Sequence, residues 1–214
     1  MIAIVDYGIG NLGSVTKGFR HVGAETVLTG DPSALRAAEA LVLPGDGAFA
    51  ASMDELRGRG LVDVLLEAAR GGKPLLGICI GMQLLFDESE EHGRHAGLGL
   101  LPGRVRRFDD TLVVPHMGWN ALEVRHPHPL FTGLSAGAYV YFVHSYFCDP
   151  ARAEDVIATT SYGGDVAAVV GRDNVLGVQF HPEKSQGVGL RMVRNFVDFV
   201  SATRQDARTR EGAA

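Results

Sequence analysis

A chain of 214 residues is long enough for one large domain or two small ones, with a core of the size expected of an α/β enzyme. Its 20 Lys and Arg residues against 25 Asp and Glu leave a net charge of −5, and the absence of a long basic run argues against nucleic acid as a partner. Two cysteines exclude a disulfide framework. Apolar runs stop well short of the roughly 20 residues that a membrane span needs, so the expected location is the cytoplasm.

The chain opens on the β-rich run "MIAIVD", followed by "YGIGN" and a segment in which Leu12, Val15, Phe19 and Val22 recur at helical spacing behind a natural N-cap, Asn11. "DYGIGN" by itself does not complete a GxGxxG nucleotide-binding turn, and no GxxxxGK[ST] loop follows anywhere, so a nucleotide role is not expected. "ETVLT" and "ALVLP" read as strands, "LVDVLLEAAR" as a buried helix face, and "PLLGIC" as a fully buried strand running into the apolar helix pattern "IGMQLLF". Short strands alternating with helices predict a mostly parallel central sheet flanked by helices, with functional loops at the carboxyl ends of its strands.

From about Arg104 the pattern changes to closely spaced β-rich runs, "RVRRF", "WNALEV", "AYVYFVHSYF", "DVIATTSY", "VAAVV" and "NVLGVQF", which predict additional antiparallel strands in the C-terminal half. Leu190, Val193, Phe196, Val197 and Val200 mark a last helix. The fold class expected is therefore α/β, as one domain over residues 1–203, with a disordered tail over 204–214.

Cys79 lies between Gly77 and Gly81 at a strand-to-helix junction, the pattern of a nucleophile elbow. A thiol is mostly protonated at neutral pH and needs a base. Of eight histidines, His181 is the one with a well-placed acid: Glu183 follows two residues on, so extended backbone would point both side chains to one face. His116 and His144 have no such acid, and Cys148 reads as structural. His126 and His128 in "HPHP" have no further ligand cluster beside them and read as a loop, so no metal and no cofactor are expected. An oxyanion hole would draw on the Ile80 amide and on "LPGDGAF", where Gly45 and Gly47 end another strand. On these residues alone, a cysteine hydrolase or a redox-sensing protein stays open beside an acyl-transfer enzyme.

Together, Pro44 to Gly47, Gly77 to Gln83 and His181 to Glu183 resemble the PGxG loop, GxCxGxQ elbow and HPE pair of the class I glutamine amidotransferases, over nearly the whole chain. "DYGIGNLGSV", "GICIGMQLLFDESEE", "PHMGWN", "YFVHSY" and "QFHPEKS" are similar to one branch of that family, the glutaminase subunits of imidazole glycerol phosphate synthases. Amidotransferases serving anthranilate or aminodeoxychorismate synthesis are the rival branch. The resemblance implies a Cys79–His181–Glu183 triad that hydrolyses L-glutamine. It also implies an oxyanion loop of Gly45, Asp46 and Gly47 with Ile80, and a substrate site including Gln83, Glu91, Ser145 and Tyr146. The partner it implies is a (β/α)₈-barrel cyclase subunit, in a heterodimer, that receives the ammonia. Pro115, Met117 and Trp119 would then form the docking face, with Tyr141 and Lys184 nearby. The family usually has valine where this chain has Asp46, a residue expected to ease reorientation of the loop peptide.

Overall fold

The computed structural model describes residues 1–211, and side chains as far as residue 205. The first half alternates as expected. β1 (Ile2–Val5) is buried throughout and leads to α1 (Leu12–His21), where the Asn11 side chain accepts the Ser14 N–H at 3.4 Å. β2 (Thr26–Thr29), α2 (Pro32–Ala37) with an Asp31 cap, and β3 (Ala40–Gly45) follow. Next come α3 (Phe49–Gly58), α4 (Leu61–Arg70) and β4 (Leu75–Cys79). With Leu12 and Gly13 the first turn does complete GxGxxG spacing, and the Arg59 side chain lies against its start: a Cβ on Gly8 would sit 2.6 Å from Arg59 Nη2.

The helix expected after Cys79 is a single turn, α5 (Ile80–Gln83). Leu84 donates its N–H to Ile80 O, and the buried Leu84 and Leu85 then carry the chain away into β5 (Phe86–Ser89). Their carbonyls take amides of Leu98, Leu100 and Leu101, so the apolar run "LLF" serves a loop crossing rather than a helix face. After it come β6 (His95–Ala96), β7 (Leu101–Arg107), β8 (His116–Ala121) and β9 (Glu123–Val124). The run "AYVYFVHSYF" is two strands, β10 (Tyr139–His144) and β11 (Tyr146–Pro150), which break at Ser145 and join different sheets. β12 (Val156–Ser161), β13 (Asp165–Arg172), β14 (Val175–Val178) and α6 (Gln186–Glu211) complete the order. α6 runs past Arg204, where the tail was expected to begin, and residues 212–214 lie outside the described residues.

The main sheet has the order β2-β1-β3-β4-β14-β13-β12-β9. Its first five strands are mutually parallel, and β13, β12 and β9 add on antiparallel. This is the expected class, an α/β fold with a parallel centre. Its central strands are buried on both faces, as parallel strands covered by helices must be. Two smaller sheets, β10-β8 and β11-β7-β5-β6, sit apart from it. Among the described residues no helix is long and apolar enough to cross a membrane.

Candidate active site

The elbow is built by backbone crowding. Cys79 ends β4 at φ 56° and ψ −113°, a strained conformation for a residue with a side chain. A Cβ on Gly81 would lie 1.8 Å from Leu43 O, one on Gly77 2.5 Å from Gly81 O, and one on Gly45 2.6 Å from Gly81 N. Three glycines therefore let β3, β4 and α5 pass within contact distance of one another. Gly45 and Cys79 are register partners, so the loop that follows Gly45 begins beside the sulfur.

β14 lies against β4 with Val178 opposite Ile78, which brings the residues after Val178 to Cys79. His181 Nδ1 is 2.9 Å from Glu183 Oε1, and both side chains are buried. The expected extended register is not what pairs them: His181 is extended, but Pro182–Lys184 is a 3₁₀ turn that curls Glu183 back to the ring. The Ser185 hydroxyl donates to His181 O at 2.7 Å and fixes that turn. Burial alone would lower the His181 pKa, but hydrogen bonds to Cys79 and Glu183, with their negative charge, outweigh it and raise it to about 10. The ring is thus placed where the Cys79 sulfur and the Glu183 carboxylate both favour its protonated form.

A cavity of about 260 Å³ opens at the sulfur, lined by Asp46, Gly47, Cys79, Ile80, Gln83, Glu91, Pro115, Val143, His144, Ser145 and Tyr146. It brings together the expected oxyanion and substrate residues, except that Gly45 lies in β3 behind the elbow. Tyr7 Oη donates to Pro44 O at 2.8 Å and pins the start of the loop. Beyond it, Asp46 Oδ1 accepts the Gly47 N–H at 2.9 Å, and both residues are exposed. Glu91 reaches the first turn of α3, where its Oε2 accepts the Phe49 N–H. Gln83 Nε2 donates to Tyr146 O at 3.0 Å and to Gln179 Oε1 at 3.1 Å, leaving Gln83 Oε1 buried with no partner in the protein.

His116, His144 and His128 have structural bonds. His144 Nδ1 lies 2.8 Å from Tyr146 O and its Nε2 lies 3.0 Å from His116 Nδ1, while His116 Nε2 faces Asn120 Oδ1 at 2.9 Å. Burial pushes the His144 pKa down to about 3, leaving that ring neutral. Cys148 is buried in β11, and burial pushes its thiol well up. His128 Nδ1 accepts the Leu130 N–H and caps a 3₁₀ turn, and among the described residues no group of three or more His, Cys, Asp or Glu could hold a metal ion.

The β8–β10 ribbon turns an aromatic face outward. Met117, Trp119 and Tyr139 are 62%, 44% and 58% exposed, large values for such side chains, and Trp119 meets Tyr141 across the ribbon at 6.0 Å. Pro115 and Lys184 are exposed, and Pro115 borders both this face and the cavity. The residue that the sequence reading missed is Gln179. It is wholly buried, and its Nε2 donates to Cys79 Sγ at 3.8 Å. Its spacing of two from His181 was the available signal.

A model of the glutamine amidotransferase class-I family matches residues 3–199. The imidazole glycerol phosphate synthase subunit HisH of Syntrophotalea carbinolica is 53% identical over 205 residues, covering 92% of this chain and 100% of its own. The HisH subunit of Salinibacter ruber is 54% identical over 203 residues, covering 92% and 93%. Among solved structures, one described as a glutamine amidotransferase superposes with a TM-score of 0.75 at 22% identity, over 94% of this chain and 98% of its own. PurLQS from Thermotoga maritima gives 0.74 at 18% identity, over 93% and 98%. At those identities the superpositions speak to fold alone.

Proposed function

The chain belongs to the class I glutamine amidotransferase family, and from that premise we propose that it is the glutaminase subunit of an imidazole glycerol phosphate synthase. Relatives bearing that name match it at more than half of all positions over nearly their full length. That likeness carries the choice of acceptor. The supporting local observation is a buried His181–Glu183 pair at 2.9 Å beside a cysteine held at positive φ.

Cys79 is the nucleophile in this reading. Its thiolate bonds to the side-chain amide carbon of L-glutamine, and the carbonyl electrons move to oxygen, where the Ile80 amide and the loop Gly45–Asp46–Gly47 supply donors. His181 gives its proton to the departing nitrogen, the C–N bond breaks and ammonia leaves a γ-glutamyl thioester. Water then attacks, its proton passes to His181, the C–S bond breaks and glutamate departs. Glu183 orients the ring and stabilises its charged form. Gln83, Glu91, Ser145 and Tyr146 hold the substrate. The unpartnered Gln83 Oε1 suits a donor on glutamine.

Ammonia released into water becomes ammonium and loses its nucleophilicity, so the product has to pass to a second site without meeting solvent. We assign the exposed Met117 and Trp119, with the half-buried Tyr141 and with Pro115 and Lys184, to docking a (β/α)₈-barrel cyclase subunit. An exposed tryptophan on a rigid ribbon is the kind of residue that dominates interface energetics. The cyclase combines the ammonia with an open-chain phosphoribulosyl compound to yield imidazole glycerol phosphate and aminoimidazole carboxamide ribotide, in histidine biosynthesis. We place this chemistry in the cytoplasm and in one domain over residues 1–203.

The test is glutamate release from glutamine by the chain mixed with a barrel cyclase, with and without the cyclase ligand. Strong stimulation supports the assignment, whereas stimulation by a chorismate-using partner in its place would overturn it. Cys79→Ala is expected to abolish glutamine use while the complex still runs on added ammonia.

A further inference from the structure

Gln179 lies at the end of β14, wholly buried, and does not line the cavity. Its backbone N–H donates to Ala168 O at 2.9 Å, so the sheet fixes its position. The orientation of its side chain is fixed as well. Gln83 Nε2 spends one hydrogen on Tyr146 O and the other on Gln179 Oε1, so Gln179 presents an N–H, not an oxygen, to Cys79 Sγ. A sulfur that faces the Gln179 N–H on this side and the His181 ring on another is placed as a hydrogen-bond acceptor.

We propose that Gln179 is a positioning residue for the Cys79 thiolate, holding the sulfur by an N–H donor whose direction is set by Gln83. This rests on Cys79 being the nucleophile of the proposed function. The donor matters most when the thioester is cleaved. The water oxygen bonds to the acyl carbon, its proton goes to His181, and the C–S electron pair returns to sulfur beside the Gln179 N–H. No bond changes at Gln179 itself. The titratable groups that share this surrounding are His181 and Glu183 from the 3₁₀ turn, Tyr7 from the β1 end, Asp46 from the loop, Glu91 at the cavity wall, His144 from β10, and Tyr146 and Cys148 from β11.

The experiment is the pH dependence of alkylation of Cys79 by iodoacetamide in the full chain, read by peptide mass so that Cys148 is counted separately, together with kcat and KM for glutamine. Gln179→Met removes the donor. Its alkylation midpoint is expected to rise by about one pH unit, tenfold less thiolate below the midpoint, with kcat reduced and KM for glutamine little changed. Gln179→Glu keeps an acceptor for Gln83, and so the packing, but turns an oxygen toward the sulfur; its midpoint is expected to rise further. If Gln179→Met is too poorly folded to assay, Gln179→Leu, which also lacks a donor, is read in its place with the same expected shift. Unchanged midpoints, or wild-type behaviour restored in Gln179→Glu, would show a purely structural residue and overturn the proposal. A chain that shows the midpoint shifts yet releases no glutamate under any condition would support the role of Gln179 and overturn the glutaminase reading.

Discussion

The elbow at Cys79 and the loop at Asp46–Gly47 face each other across the same cavity but are held in opposite ways. The elbow is locked by backbone: Gly45, Gly77 and Gly81 each lie so close to neighbouring main chain that no Cβ fits. The loop is held by side chains, with Tyr7 at its start and the Asp46 carboxylate on the Gly47 amide, and nothing lies within 4 Å of where a Gly47 Cβ would sit. Gly47 itself is at φ 75°. Cys79 is therefore fixed before any ligand arrives, while the loop opposite it can be rearranged by breaking one or two hydrogen bonds, each of about 1 kcal/mol net.

Gly81→Ala attacks the locked side and has the largest expected effect. The added carbon would meet Leu43 O at 1.8 Å, main chain that cannot yield cheaply. Glutaminase kcat is expected to fall about a hundredfold or more, with a lowered melting temperature by circular dichroism. A variant with normal turnover would show that the elbow is not locked.

Glu183→Gln comes next. It leaves both elbow and loop in place and removes the carboxylate that helps to keep His181 protonated. Turnover is expected to fall about a hundredfold, and the alkaline limb of the pH–rate profile to move down from about pH 10, where His181 now loses its proton. The stability link has the same sign. A raised histidine pKa contributes stability that is fully present below the unfolded value near 6.5 and is lost as pH rises through about 10, so denaturant midpoints of wild type and variant should converge at high pH.

Asp46→Val probes the adjustable side and has the smallest expected effect. It removes the acceptor on the Gly47 amide and puts a β-branched residue at the turn. The β-branched side chain resists the turn, and the cyclase-stimulated rate is expected to drop about fivefold, a cost of about 1 kcal/mol. If basal and stimulated rates both equalled wild type, Asp46 would have no part in setting the loop.

The locked side was also the more legible one. Fully apolar runs and paired glycines marked β1, β3, β4 and the Cys79 elbow, because backbone crowding leaves a composition signature. The adjustable and polar parts left less trace. In "AYVYFVHSYF" alternation continues through Ser145, so nothing in the pattern announces that β10 and β11 join different sheets. α3, reading "FAASMDELRG", has too few large apolar residues to stand out, although it buries Phe49, Met53 and Leu56. The histidine and its acid were found by spacing, yet the pairing depends on a 3₁₀ turn that Pro182 opens. Gln179 had only its spacing of two from His181 to mark it, and a glutamine after a strand says nothing of which amide it will meet.

The insertion of β14 between β4 and β13 also sets a timetable. The nucleophile and the amide that meets it lie 100 residues apart in the chain. At roughly 5–20 residues per second, a ribosome makes that stretch in about 5 to 20 s. During that interval Cys79 has neither His181 nor Gln179 beside it, and the surroundings of its sulfur are completed only when the last strand takes its place in the sheet.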